Sequence, residues 1–124
     1  MQCIETARAP KAVGPYSQAI IWGDLLFCSG QLPLDPETGK LAATDVAGQA
    51  RQVLKNLTAV LDAAGLNLWN VVKTTVFLKD MNDFQAMNGI YAEVFGEHKP
   101  ARSTIQVARL PLDALIEIEC IAVG

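Results

Sequence analysis

The chain has 124 residues, 51% hydrophobic and 19% charged, enough for the core of one domain and too apolar for a disordered chain. Its 10 Lys and Arg against 13 Asp and Glu leave a formal charge of -3. With a pI near 5.0, it lacks the basic face that releases counterions from nucleic-acid phosphates.

No apolar run approaches the ~18 residues of a membrane span, and Met1 to Glu5 lacks the charged and apolar regions of a signal peptide. Cys3, Cys28 and Cys120 make an odd count without CxxC spacing, which fits reduced thiols in a cytoplasmic protein. Gly14-Pro15 breaks the chain ahead of the first regular structure. Ala19-Ile20-Ile21-Trp22 and Leu25-Leu26-Phe27-Cys28-Ser29 flank Gly23-Asp24, so a hairpin is expected with Gly at the first turn position. Pro33, Pro36 and Gly39 then mark a loop.

From Asp45 to Ala64 the period becomes helical, with Val46, Ala50, Val53, Leu54, Leu57, Val60, Leu61 and Ala64 on one stripe. Thr44 or Asp45 caps its start, and Gly65 fits the position past its end. Val71 to Lys79 is a strand with Val72, Thr74, Val76 and Leu78 on one face. A second helix is expected from Asn82 to Phe95, stopped by Gly96. Two strands follow, Arg102 to Val107 and Leu115 to Val123, with Pro111 in the loop between them. The order β-β-α-β-α-β-β, two helices against one sheet of roughly four to six strands, makes a single two-layer α+β domain over residues 1–124.

Some polar residues sit where apolar ones are expected. In the last strand Glu117 and Glu119 share a face with Leu115, Ile121 and Val123. A carboxylate desolvated there would have a raised pKa, while on a wet face it would be an ordinary charge. Arg102 opens its strand after Pro100-Ala101. Its planar fork suits a bidentate carboxylate, and equally a cross-strand ion pair with Glu117 or Glu119. Asn88 falls on the buried stripe of the second helix, where its amide needs partners in the core or in a ligand. Tyr16 and Ser29 flank the hairpin region and read by themselves as turn residues.

Other chemistries drop out. His98 is the one histidine, in a Gly-Glu-His-Lys-Pro turn, and no Cys/His/Asp cluster has metal-ligand spacing. The nine glycines form neither GxGxxG nor a P-loop.

Three longer runs are distinctive: Gly14-Pro15-Tyr16-Ser17-Gln18-Ala19, Ser29-Gly30-Gln31-Leu32-Pro33 and Lys73-Thr74-Thr75-Val76-Phe77-Leu78. With Asp83-Phe84, Asn88, Tyr91, Pro100-Ala101-Arg102-Ser103, Val107-Ala108-Arg109-Leu110-Pro111 and Ile116-Glu117-Ile118-Glu119, they resemble the Rid family, formerly YjgF, over essentially the whole chain. The RidA subgroup is the nearest in pattern. The resemblance implies a chorismate-mutase-like fold derived from the ferredoxin-like arrangement, assembled as a homotrimer with a cleft at each subunit interface. It implies hydrolysis of 2-imino and enamine acids, derived from 2-aminoacrylate or 2-aminocrotonate, to 2-oxo acids and ammonia.

In that scheme Arg102 binds the substrate carboxylate and Glu117 activates water. Tyr16, Ser29, Gly30, Asn88 and Thr104 complete the pocket, with Thr104 standing where RidA-like members often have Cys. Arg102 and Glu117 are expected from one subunit, Tyr16 and Asn88 from its neighbour. The imine carbon is already electrophilic, so no cofactor or metal is expected, and no nucleic-acid or membrane partner. The alternatives are a small-carboxylate-binding regulatory protein without turnover and, ranked below it, an endoribonuclease.

Overall fold

Burial with a period of two builds a sheet, and burial with helical spacing builds its cover. The computed structural model describes all 124 residues. Strands β1 (Gln2–Ile4), β2 (Ala19–Trp22), β3 (Leu25–Gln31), β4 (Val71–Leu78), β5 (Ala101–Gln106) and β6 (Ile116–Val123) form one mixed sheet. Helices α1 (Val46–Ala63) and α2 (Phe84–Phe95) pack on one face of it, which gives the expected two-layer α+β architecture.

Across the sheet the order is β1-β2-β3-β6-β4-β5. Only β4 and β5 run parallel, joined by α2; β6 inserts between β3 and β4, antiparallel to both. Residues paired in register share a face. Cys28, Val76, Leu78, Ile116, Ile118, Cys120 and Ala122 therefore lie under the helices and are buried. Phe27, Lys73, Thr75, Phe77, Glu117, Glu119 and Ile121 lie on the open face.

Helix α1 buries the expected stripe, including Val53, Leu54, Leu57, Val60 and Leu61. Each such side chain contributes about 1.5–3 kcal/mol when fully buried. Asp45, in extended backbone, caps the helix by accepting from the Gly48 N–H at 3.3 Å. Gly65, at φ 76°, takes the left-handed position past the end. Three buried amides tie loops to the core. Asn56 donates to the carbonyls of Leu32 and Leu34 at 3.0 Å each, Gln49 accepts from the Leu115 N–H at 2.7 Å, and Gln18 accepts from the Thr6 N–H at 2.7 Å. Cys28 and Cys120 pair directly across β3 and β6. A hydrogen bond from Cys120, then burial, push the Cys28 thiol well up, as suits an inert core thiol.

The structure departs from the sequence reading in five places. In β4 a register shift between Val71 and Lys73 turns Val72 outward and buries Val71 with Thr74, Val76 and Leu78 instead. Strand β1 adds a sheet edge that the order β-β-α-β-α-β-β lacks, because three residues without flanking turn signals carry no period. Helix α2 starts at Phe84 rather than Asn82, since Met81–Asp83 form a 3-10 turn capped by Asp80. Strand β3 continues to Gln31 across a bulge, and β5 and β6 are offset by one residue at one or both ends. The turn Pro111–Asp113 holds Leu112 at φ 58° and Asp113 at φ 55°, left-handed conformations costing roughly 1–2 kcal/mol each for L-residues.

Candidate active site

Arg102 pairs in register with Thr74, and so stands on the helix-covered face at the sheet's β5 edge. There α2 builds a holder around it. The side-chain Oδ1 of Asn88 accepts from Nη1 of Arg102 at 2.8 Å. The guanidinium carbon lies 4.7 Å from the Tyr91 ring centroid and 5.6 Å from that of Phe84, within reach of cation–π attraction. Tyr91 is in turn fixed by a hydrogen bond of 2.7 Å between its hydroxyl and that of Thr74, both buried. Burial keeps the Tyr91 hydroxyl above its usual range, so it stays neutral.

Arg102 takes part in none of the ion pairs of the chain. A cavity of about 420 Å³ opens beside it, lined by Asn88, Tyr91, His98 and Lys99 among others. Thr104, two residues along the same strand, buries its Oγ1 without a hydrogen-bond partner. A hydroxyl left so costs about 1–3 kcal/mol until something bonds to it. His98, the lone histidine, holds Nε2 at 2.6 Å from the Val71 carbonyl oxygen, so that nitrogen is committed to the backbone.

Glu117 lies elsewhere. Its register partner is Phe77, which puts it on the open face. The bulge in β3 sets two residues, Ser29 and Gly30, between the pairs Cys28–Cys120 and Gln31–Ile118. Gly30 thereby comes under the Glu117 carboxylate: a Cβ at this position would sit 2.2 Å from Oε2. Only glycine leaves that space. Burial first, and the neighbouring Glu119 second, raise the Glu117 carboxyl above its ordinary value. Ser29 spends its hydroxyl on the Ser17 carbonyl at 2.6 Å, and its N–H bonds the Gln18 carbonyl at 2.9 Å. These bonds hold the Gly14–Ser17 loop against β3. Tyr16 stands exposed in that loop and shares a cavity of about 510 Å³ with Gly30, Pro111 and Leu112.

The residues singled out in the sequence thus form two groups. Arg102 is joined to Asn88, with Thr104 on the same face of its strand; Glu117 is joined to Gly30, which connects through the cavity to Tyr16. The sheet separates them. This corrects the expected division, which put Arg102 with Glu117 and Asn88 with Tyr16. It also removes the cross-strand ion pair between Arg102 and Glu117 or Glu119: β5 borders β4 alone, and the carboxylates point from the opposite face. Asn88 is half-buried rather than in the core, and its side-chain oxygen finds its partner in Arg102. Sequence reasoning missed Phe84, Tyr91 and Thr74 as the holder of the guanidinium. The signal was the spacing of Phe84, Asn88 and Tyr91, four and three residues apart on one helical face.

A family model described as Endoribonuclease L-PSP matches residues 6–124. The chain belongs to that family. It is the family that the sequence resembles under the name Rid. One L-PSP relative, a RutC family protein of Pyrococcus horikoshii, is 58% identical over 121 residues, which cover 98% of this chain and 96% of that one. The 2-iminobutanoate/2-iminopropanoate deaminase of Escherichia coli is 53% identical over 123 residues, covering 97% of this chain and 95% of that one. Among solved L-PSP structures, E. coli TdcF with bound serine superposes with a TM-score of 0.96 at 48% identity, covering 100% of this chain and 99% of that one. The family description names a nuclease and the E. coli relative a deaminase, so the name alone leaves the reaction open.

Proposed function

We propose that this chain hydrolyses small 2-imino acids to 2-oxo acids and ammonia, in clefts completed between copies of a homotrimer. The observation that carries the reading is the Arg102 holder. A guanidinium fixed by Asn88 and two rings, half-buried and without a carboxylate of its own, is built for an anionic ligand. Replacing the carboxylate's water shell with a charge-assisted fork would position the neighbouring imine carbon. Glu117 supplies the rest. As water oxygen bonds to that carbon, Glu117 takes the water proton and returns it to the nitrogen. The carbinolamine then loses its hydroxyl proton, again by way of Glu117, as the C–N bond breaks and ammonia leaves. A carboxyl already raised by burial suits this exchange.

The sheet supports the proposed assembly. One chain holds Arg102 and Glu117 on opposite faces, so a cleft containing both draws them from two copies. The open face also carries Phe27 and Ile105, both exposed, along with Phe77 and Ile121, apolar surface that association would cover. The 53% identity to a chain named as a deaminase supports the hydrolytic reading of the site.

A second reading, a small-carboxylate-binding protein without turnover, is favoured by the serine held by TdcF. One experiment decides between them. Freshly generated 2-iminopropanoate should release ammonia well above its spontaneous rate in the presence of the protein, and Arg102→Ala should abolish the excess. Binding of 2-oxobutanoate without ammonia release would leave the binding reading alone. The pI near 5.0 speaks against RNA as substrate.

A further inference from the structure

The turn before β6 is held in a costly shape for no evident structural return. Leu112 and Asp113 both adopt left-handed backbone, at φ 58° and 55°. The turn is braced on every side. Leu110 and Ala114 are buried at its ends, the Asp113 N–H bonds the Leu110 carbonyl, and the Ala114 N–H bonds the Pro111 carbonyl, each at 3.1 Å. Arg109 forks onto the Asp113 carboxylate at 2.9 and 3.3 Å. What all this presents is one leucine side chain, 62% exposed. It adds nothing to the core, and glycine would take that backbone without strain. Strain kept in this way concentrates at functional sites.

Leu112 faces the cavity of about 510 Å³ that contains Tyr16 and Gly30, with Val13, Leu32 and Pro111 as further apolar walls. Gly30 lies under the Glu117 carboxylate, so this cavity adjoins the place where the imine carbon would react. We propose that Leu112 is a specificity-determining residue. Its side chain closes the space open to the substrate's own side chain, so 2-imino acids with short, unbranched aliphatic groups are accepted and bulky branched ones are turned away. The inference rests on the deaminase reading.

The test uses Leu112→Gly and Leu112→Phe in the full-length protein. An amino-acid oxidase generates the imines of alanine and of leucine in situ, and kcat/KM is measured for each. Discrimination by one or a few methylenes in an apolar pocket is about tenfold or more. Leu112→Gly should therefore shift the ratio about tenfold toward the leucine-derived imine, and Leu112→Phe should shift it the other way. Leu112→Gly should also melt at or above the wild-type temperature, because its backbone strain is gone. A ratio that stays within about twofold of wild type in both folded variants overturns the role of Leu112 and leaves the deaminase reading intact. A wild-type protein that hydrolyses neither imine overturns that reading, and Leu112's role with it.

Discussion

Arg102 owes its usefulness to what surrounds it. A lysine would bring the charge but neither the fork, nor the bond to Asn88, nor the flat face that rests on Tyr91. Arg102→Lys should lose about 1.5–3 kcal/mol of carboxylate binding, the usual worth of a hydrogen bond to a charged group. Titration calorimetry with 2-oxobutanoate would then read a Kd weaker by roughly ten- to a hundredfold. Unchanged affinity would show that the ligand sits elsewhere. Glu117 makes a prediction of opposite sign for stability. Burial raises its carboxyl in the folded state, so folding favours the protonated form. That contribution is complete below the unfolded value of about 4.3 and is lost as pH rises through the higher folded value. Glu117→Gln should thus melt above wild type near pH ~7, and the difference should vanish toward pH ~3–4, where both side chains are neutral. Thermal unfolding across pH measures it. The same variant should hydrolyse imine about 10²–10⁴-fold more slowly while still binding oxo acid.

At the scale of elements, the β3 bulge decides where Glu117 rests. Gly30 has no positive φ to satisfy, so Gly30→Ala should fold. Its new methyl would nonetheless occupy the carboxylate's place, and kcat should fall by about 10²-fold or more with circular dichroism unchanged. Near-normal turnover would mean that the water is activated by another group. This is also where the sequence was least readable. Period-two burial in β6 and the stripe of α1 are written in single segments and were legible there. The bulge is not, because it is a residue count against a strand about 90 positions away along the chain. The division of the site failed for a related reason. Alternation says which residues of one strand share a face, and nothing about which strands are neighbours. Only the order β3-β6-β4-β5 and its register put Arg102 and Glu117 on opposite sides.

For the whole molecule, the two groups make subunit mixing a sharp test. If each cleft takes Arg102 and Asn88 from one copy and Glu117 and Gly30 from the next, lesions in different halves complement and lesions in the same half do not. Arg102→Ala co-refolded in equal amounts with Glu117→Gln should regain about a quarter of the wild-type sites by random assembly. Arg102→Ala with Asn88→Ala should gain nothing beyond the average of the two parents, since every cleft then carries one of the lesions. Ammonia release from 2-iminopropanoate reads both mixtures. Light scattering showing a monomer, or equal recovery in the two mixtures, would remove the shared cleft.

Strand order has a consequence for how the chain is made. β6 lies between β3 and β4 yet is translated after both. Until Ile116–Val123 leaves the ribosome, β3 and β4 each present an unpaired edge that the finished sheet covers, an exposure that invites association with other chains. The helices can form early, but the sheet they cover cannot close. Folding of this domain therefore waits for its final strand, the same strand that delivers Glu117, and an incomplete chain has neither a finished sheet nor the carboxylate that the proposed reaction uses.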